Sequence, residues 1–313
     1  MNISQETCRQ LLCPQTNSAL RQQDNSLKNH ADPTVRYPII DGIPILINKE
    51  KSILSIDDFV QQRDTTFDLD QNKFKELFWK CMPGIGFNFK AKDNYQKLVA
   101  RLPEHAKILI VGGSIQGKGM ELIYSNDSFE LVGTDVSYGP HTDIICDAHD
   151  IPFADETFDC VIIQAVLEHV LDPYRCVEEV HRVLKPAGFV YAETPFIQQV
   201  HMKQFDFTRF THLGHRRLFR HFDEVESGPS GGPGMALAWS YTYFIESFAF
   251  SRLTSALATI FAHLTSFYLK YFDYLLIDRP RAYDAASGFY FVGQKNGTCL
   301  DDKELIQQFR GYH

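Results

Sequence analysis

The chain has little that would tie it to a membrane span, a disulfide framework or a nucleic-acid backbone. Its seven cysteines among 313 residues are scattered and odd in number. That pattern argues against a disulfide-stapled scaffold and for reduced thiols in the cytoplasm. No segment offers the roughly 20 uninterrupted apolar residues that a spanning helix needs. The amino terminus, MNISQETCRQLLCPQ, has neither the basic start nor the apolar run of a secretory signal. Basic residues are outnumbered, 31 Lys and Arg against 39 Asp and Glu, for a formal net charge of −8. A general nucleic-acid binder needs the opposite balance to displace counterions from phosphates, so no nucleic-acid partner is expected. Internal repeats and low-complexity tracts are missing too, which removes solenoids and charged tails from consideration.

What is present is ordinary for a globular protein: 44% hydrophobic and 22% charged residues. The length allows one α/β domain with smaller attachments. Residues 1–50 read as a small β-rich module. Residues 51–103 read as a helical linker or cap, with Phe74, Leu77 and Phe78 at helical spacing and a break at Pro83-Gly84. Residues 104–234 alternate apolar runs with helical patterns, the signature of a parallel α/β sheet. Strands are expected at 107–111, 129–134, 143–146, 160–164 and 189–192, with helices from 117 and over 173–184. The run GPSGGPG at 228–234 is expected to be a flexible loop or hinge. Residues 235–282 read as a helical insertion, 283–297 as a final strand and 298–313 as a tail.

The first strand runs into Gly112, Gly113, Ser114 and Gly117. Glycines at such a turn let the backbone bend sharply and let a ligand approach without a Cβ in the way. Asp135, followed by Val136, ends the second strand 23 residues after Gly112. A carboxylate there can accept hydrogen bonds from both ribose hydroxyls of an adenosine-containing cofactor. That geometry serves a nicotinamide dinucleotide as well as S-adenosylmethionine, and these residues leave the choice open.

The stretch at 146–188, CDAHDIPFADETFDCVIIQAVLEHVLDPYRCVEEVHRVLKPAG, closely resembles the methyltransferase type 11 family. The resemblance extends over about 107–295. It implies a Rossmann-like class I sheet with helices on both faces, S-adenosyl-L-methionine as cofactor and methyl transfer as the activity. By the same resemblance Asp147 receives the adenine amino group, Ala148 offers its backbone N–H to the ring, and the segment from Gln164 to Val170 borders the methyl-transfer site. Family members usually carry a carboxylate where this chain has Ile110. That departure keeps a catalytically degenerate, methyltransferase-like binding protein in view as the alternative.

The segment ETPFIQQVHMKQFDFTRFTHLGHRRLF is similar to the acceptor side of family members that modify glycans and small molecules. It implies O-methylation of such an acceptor, with His201, Asp206 and Arg209 as the catalytic candidates. A histidine titrates near neutrality and can take a proton; an arginine can grip a carboxylate or phosphate through two parallel bonds. Alternatively, an Asp206–Arg209 pair simply holds the loop. Glu168-His169 is assigned by position to the cofactor-side loop, and no metal site is expected.

Residues 7–47 resemble the small zinc-ribbon-like modules that activate RNA methyltransferases, through Leu11-Leu12-Cys13-Pro14 and the run YPIIDGIP at 37–44. Thr16 replaces the second cysteine and no later pair follows, so a metal-free β module is predicted. The aromatic stretch 239–277 is expected to form a lid and a homodimer interface; a helix lying on a membrane surface is the third reading.

Overall fold

The computed structural model describes residues 1, 3–61, 63 and 82–312; Phe74, Leu77 and Phe78 lie outside them. The amino-terminal residues form an antiparallel meander of β1 (Leu20–Gln23), β2 (Ser26–Asn29), β3 (Arg36–Ile40) and β4 (Ile43–Leu46). Asp41 and Gly42 join the last two strands, both at positive φ, as a two-residue hairpin with the native strand twist requires.

The core strands are β5 (Lys107–Val111), β6 (Glu130–Asp135), β7 (Ile144–Cys146), β8 (Phe158–Gln164) and β9 (Leu184–Pro195), all parallel to one another. Two further strands, β10 (Phe222–Gly231) and β11 (Gly288–Lys295), close one edge antiparallel, with β11 inserted between β9 and β10. The other edge is closed by the opening meander. β4 runs parallel to β7, pairing Ile45 with Ile145 and Leu46 with Cys146. The result is one sheet in the order β1-β2-β3-β4-β7-β6-β5-β8-β9-β11-β10.

All five residues of β5 are buried because both faces of the sheet are covered. Leu109 and Val111 pack into one apolar layer, Ile108 and Ile110 into the other, as the two-residue period of a strand dictates. On the first face lies the helix Pro173–Val183. Asp172 caps it by accepting from the Arg175 N–H at 3.2 Å, proline fills its first turn, and Cys176, Val177, Val180 and Val183 are buried. The helix Ala91–Val99 covers the second face with Tyr95 and Leu98.

Three expectations need correction. Residues 228–231 are not a hinge loop: Gly228, Pro229 and Gly231 pair in register with Tyr290, Phe289 and Gly288. The small residues there serve close packing instead. A Cβ on Gly231 would stand 2.4 Å from Ser287 Oγ, and one on Gly234 would stand 2.2 Å from the Leu269 carbonyl oxygen. The helix expected from residue 117 is helical only over Glu121–Tyr124, since Gly119 at φ +88° turns the chain before it. The third strand starts at Ile144, because Asp143 turns its carboxylate to the Gly133 N–H at 2.8 Å.

The aromatic segment folds as the helices Pro233–Glu246 and Arg252–Ser266, packed on each other, followed by the short helix Asp273–Leu276. Met235 and Trp239 face the cavity described below. Phe244, Phe248, Phe250, Leu253 and Leu257 each expose more than half their surface. Among the described residues no helix is long and apolar enough to cross a membrane.

Candidate functional site

A cavity of about 550 Å³ opens at the carboxyl ends of β5 to β9, where open α/β sheets place their ligands. Four of the predicted residues, Gly112, Ser114, Gly117 and Gln164, line it. Gly112 sits at φ +77°, and a Cβ on it would stand 2.2 Å from Val166 Cγ2. A Cβ on Gly117 would stand 2.1 Å from the Gln164 amide oxygen. Both positions therefore admit glycine alone without rearrangement. Gly113 lies just behind the cavity wall, its N–H held by the Thr134 carbonyl at 2.9 Å.

Asp135, Val136, Asp147 and Ala148 line the cavity as well. The Asp135 carboxylate is 7% exposed and accepts the Ser114 N–H at 2.9 Å. Burial raises its pKa, against the lowering effect of the backbone N–H groups of Ser114, Val136 and Ser137. Asp147 goes the other way. Burial opposes its ionisation, but hydrogen bonds from His149 Nδ1 and Ser52 Oγ, both at 2.5 Å, hold the carboxyl below its ordinary value. His149 accepts the Asp172 N–H on its other nitrogen, 3.0 Å away, so the ring must carry its proton toward Asp147. Asp147 is thus a fixed anion whose partners come from the β7 loop and from the segment following the opening meander.

Ile110 is buried in the second layer with Ala91, Tyr95 and Met120. This position therefore supplies an apolar side chain where an acid was the family pattern. The acid that does line the cavity nearby is Glu193 on β9, which the sequence reading did not single out. Glu193 accepts two contacts from Asn88 Nδ2, at 2.9 and 2.7 Å, one from Gln164 Nε2 at 3.0 Å and one from the Tyr191 hydroxyl. Burial raises its pKa. The available signal was a lone acid ending the apolar run FVYAE.

The chain leaves β8 through Ala165, a non-glycine residue at φ 56° that also lines the cavity. This left-handed residue turns the segment back over the cavity. The Glu168 carbonyl then accepts N–H groups from Phe207 and Thr208, at 2.8 and 3.3 Å, which ties the loop to the acceptor-side segment. Glu168, His169 and His201 consequently meet on the cavity wall. Glu168 Oε1 stands 3.6 Å from His169 Nε2 and 4.0 Å from His201 Nε2, and the two rings meet edge to face at 4.9 Å. Burial pushes Glu168 up to about 8 and His169 down to about 4.

Asp206 and Arg209 do not line the cavity. Arg209 donates to both carboxylate oxygens of Asp206 and to the carbonyls of Gln198, Gln199 and Thr208. Burial works against the Asp206 charge, yet Arg209 and the His201 N–H hold its carboxyl well below the usual range. The pair shapes the loop that presents His201. His212 and His215 are buried away from the cavity among Tyr283, Phe289 and Phe219.

Known proteins share parts of this chain. The family model described as "Methyltransferase domain" matches residues 113–192. A ubiquinone/menaquinone biosynthesis C-methyltransferase from Haemophilus ducreyi is 49% identical over 41 residues, 13% of this chain and 16% of that protein. A demethylmenaquinone methyltransferase from Lysinibacillus sphaericus is 36% identical over 81 residues, 26% of this chain and 34% of that protein. The chain thus spans only a sixth to a third of these curated relatives. A solved structure of Haemonchus contortus phosphoethanolamine N-methyltransferase 2 with S-adenosyl-L-methionine is 15% identical, with 78% of this chain and 61% of that one aligned at a TM-score of 0.47. Residues 113–192, which lie on a parallel sheet with a glycine turn after β5 and an acid ending β6, thus match a methyltransferase domain.

Proposed function

We propose that this chain transfers a methyl group from S-adenosylmethionine to the oxygen of a small-molecule or glycan-type acceptor. The observation that carries this reading is that one cavity is lined both by Asp135 and Asp147 and by Glu168, His169 and His201. The cofactor, when bound, supplies a methyl carbon already activated on a sulfonium. The residues present fit it. Asp135 offers acceptor oxygens for ribose hydroxyls, Asp147 a fixed anion for the adenine amino group, and Ala148 a backbone N–H beside it. Gly112 and Gly117 keep the path between them clear. Gln164 and Glu193 are the polar groups for the amino-acid portion, in place of the carboxylate that Ile110 lacks.

The protein's own work is then to exclude water, to align the acceptor opposite the sulfur, and to manage the acceptor's proton. Met235 and Trp239 close the cavity on the apolar side. His201 belongs to the wall where the acceptor sits, so His201→Ala is expected to lower turnover by about 100-fold. Affinity for S-adenosylhomocysteine should stay unchanged. Unaltered turnover would remove His201 from the reaction.

Calorimetric titration with S-adenosylmethionine, S-adenosylhomocysteine and NAD tests the reading. Binding of both sulfur compounds with NAD silent is the expected result. Silence toward all three would leave the degenerate binding protein as the better account.

A further inference from the structure

We infer that Glu168, His169 and His201 form a binding site for one divalent transition cation, of the Mn²⁺, Fe²⁺ or Zn²⁺ class, on the wall of the cavity. Their ligating atoms lie within 4.8 Å of one another. Ligands about 2.1 Å from a common ion stand roughly 3.0–3.4 Å apart, so small side-chain rotations suffice to close the set.

Three further observations point the same way. Each histidine has its far nitrogen engaged. His169 Nδ1 donates to the Phe205 carbonyl at 2.7 Å. His201 Nδ1 donates to the Gln199 carbonyl at 3.3 Å, with Asp206 Oδ2 behind it at 3.4 Å. Both rings therefore turn an Nε2 lone pair toward Glu168, the arrangement that orients metal-ligating imidazoles. Secondly, among the described residues Glu168 Oε2 has no hydrogen-bond partner, although its side chain is only 1% exposed. Burial drives a carboxyl in that condition to its neutral form, and a cation beside it would hold it ionised as a ligand.

Thirdly, among the described residues no cationic side chain makes a hydrogen bond to Glu168. The distances of 3.6 and 4.0 Å from Glu168 to the imidazoles exceed hydrogen-bonding range. Arg209 is committed to Asp206 and three backbone carbonyls. Two imidazoles and one carboxylate select transition metals over Ca²⁺ or Mg²⁺. Three protein ligands also leave coordination positions open to the cavity.

The cation's role rests on the methyl-transfer reading above. An acceptor hydroxyl on the cation loses its proton to water, because the ion lowers that group's pKa. The oxygen lone pair forms the O–C bond as the C–S bond breaks, and the electron pair of that bond returns to sulfur. The products are a methyl ether, a neutral thioether and one proton released to solvent.

The test uses the full chain stripped with chelator, titrated with Mn²⁺ and followed by electron paramagnetic resonance. The same samples are titrated with S-adenosylhomocysteine. One Mn²⁺ per chain is expected, weakened at least about 10-fold in both His201→Ala and Glu168→Gln, with S-adenosylhomocysteine affinity kept. His201 lies on a surface loop, which guards against a merely unfolded variant. If wild-type chain binds S-adenosylhomocysteine but no Mn²⁺, or if both variants bind Mn²⁺ as wild type does, the cation site falls and methyl transfer stands. Mn²⁺ bound without any S-adenosylhomocysteine affinity would support the site and sink the methyl-transfer reading.

Discussion

Asp135→Ala is expected to weaken S-adenosylhomocysteine binding by about 100-fold or more while the chain stays folded. Each hydrogen bond to a charged group contributes about 1.5–3 kcal/mol. Two ribose hydroxyls on one carboxylate would then contribute about 3–6 kcal/mol, or roughly 10²- to 10⁴-fold in affinity. The carboxylate also holds the Ser114 N–H, so its loss loosens the glycine turn that the cofactor must pass. The turn keeps the bonds from the N–H groups of Gly112 and Gly113 to the Thr134 carbonyl at 2.8 and 2.9 Å, so the variant is expected to fold with a lowered melting temperature. Calorimetry on the variant, with a thermal melt beside it, separates the two effects. Wild-type affinity would place the ribose elsewhere in the cavity.

The second large effect is on stability. Asp273→Ala is expected to cost about 3–5 kcal/mol and to lower the melting temperature by roughly 6–15 °C. Asp273 is 0% exposed and accepts three backbone N–H groups, from Gly232 at 3.1 Å, Gly234 at 2.7 Å and Met235 at 2.9 Å. These are the orphan donors at the start of the helix Pro233–Glu246, whose positive end favours an anion. Here the cap comes from 38 residues or more away rather than from the residue before the helix. Removing it leaves buried donors with no water to turn to. Asp273→Asn, which keeps one acceptor oxygen, should recover part of the loss. Because Met235 and Trp239 sit on this helix, the alanine variant should also loosen the cavity wall. A melt equal to wild type would show that solvent reaches the helix end after all.

The core was legible because its signals are local. The buried run at 107–111, the glycines after it and Asp135 at the next strand end sit at fixed spacing, and that spacing is the geometry. The expectation for 228–234 failed for a related reason. Glycine and proline mark turns when nothing else constrains the chain, but here β11 pairs with that segment, and tertiary pairing overrides the local preference. The acceptor-side cluster was half legible. His201 was named for its residue type, whereas Glu168 and His169 were set aside as loop residues. What joins them is a backbone tie between Glu168 and residues 207–208, which no periodicity records. Arg209 shows the converse: a residue type suited to gripping an anion is, in place, used up by its own loop.

The joint between β4 and β7 has a consequence for how the chain comes to be folded. Ile45 must wait for Ile145, so a hundred residues are synthesised between the two halves of that pairing. Until then β4 is an open strand edge, able to pair with whatever other edge it meets. Long-range parallel pairing is slow to form. Refolding from denaturant is accordingly expected to lose material to aggregation at the stage when β5 to β9 have assembled and β7 still lacks its neighbour. A peptide matching β4, added in trans, would compete for that edge and lower the yield.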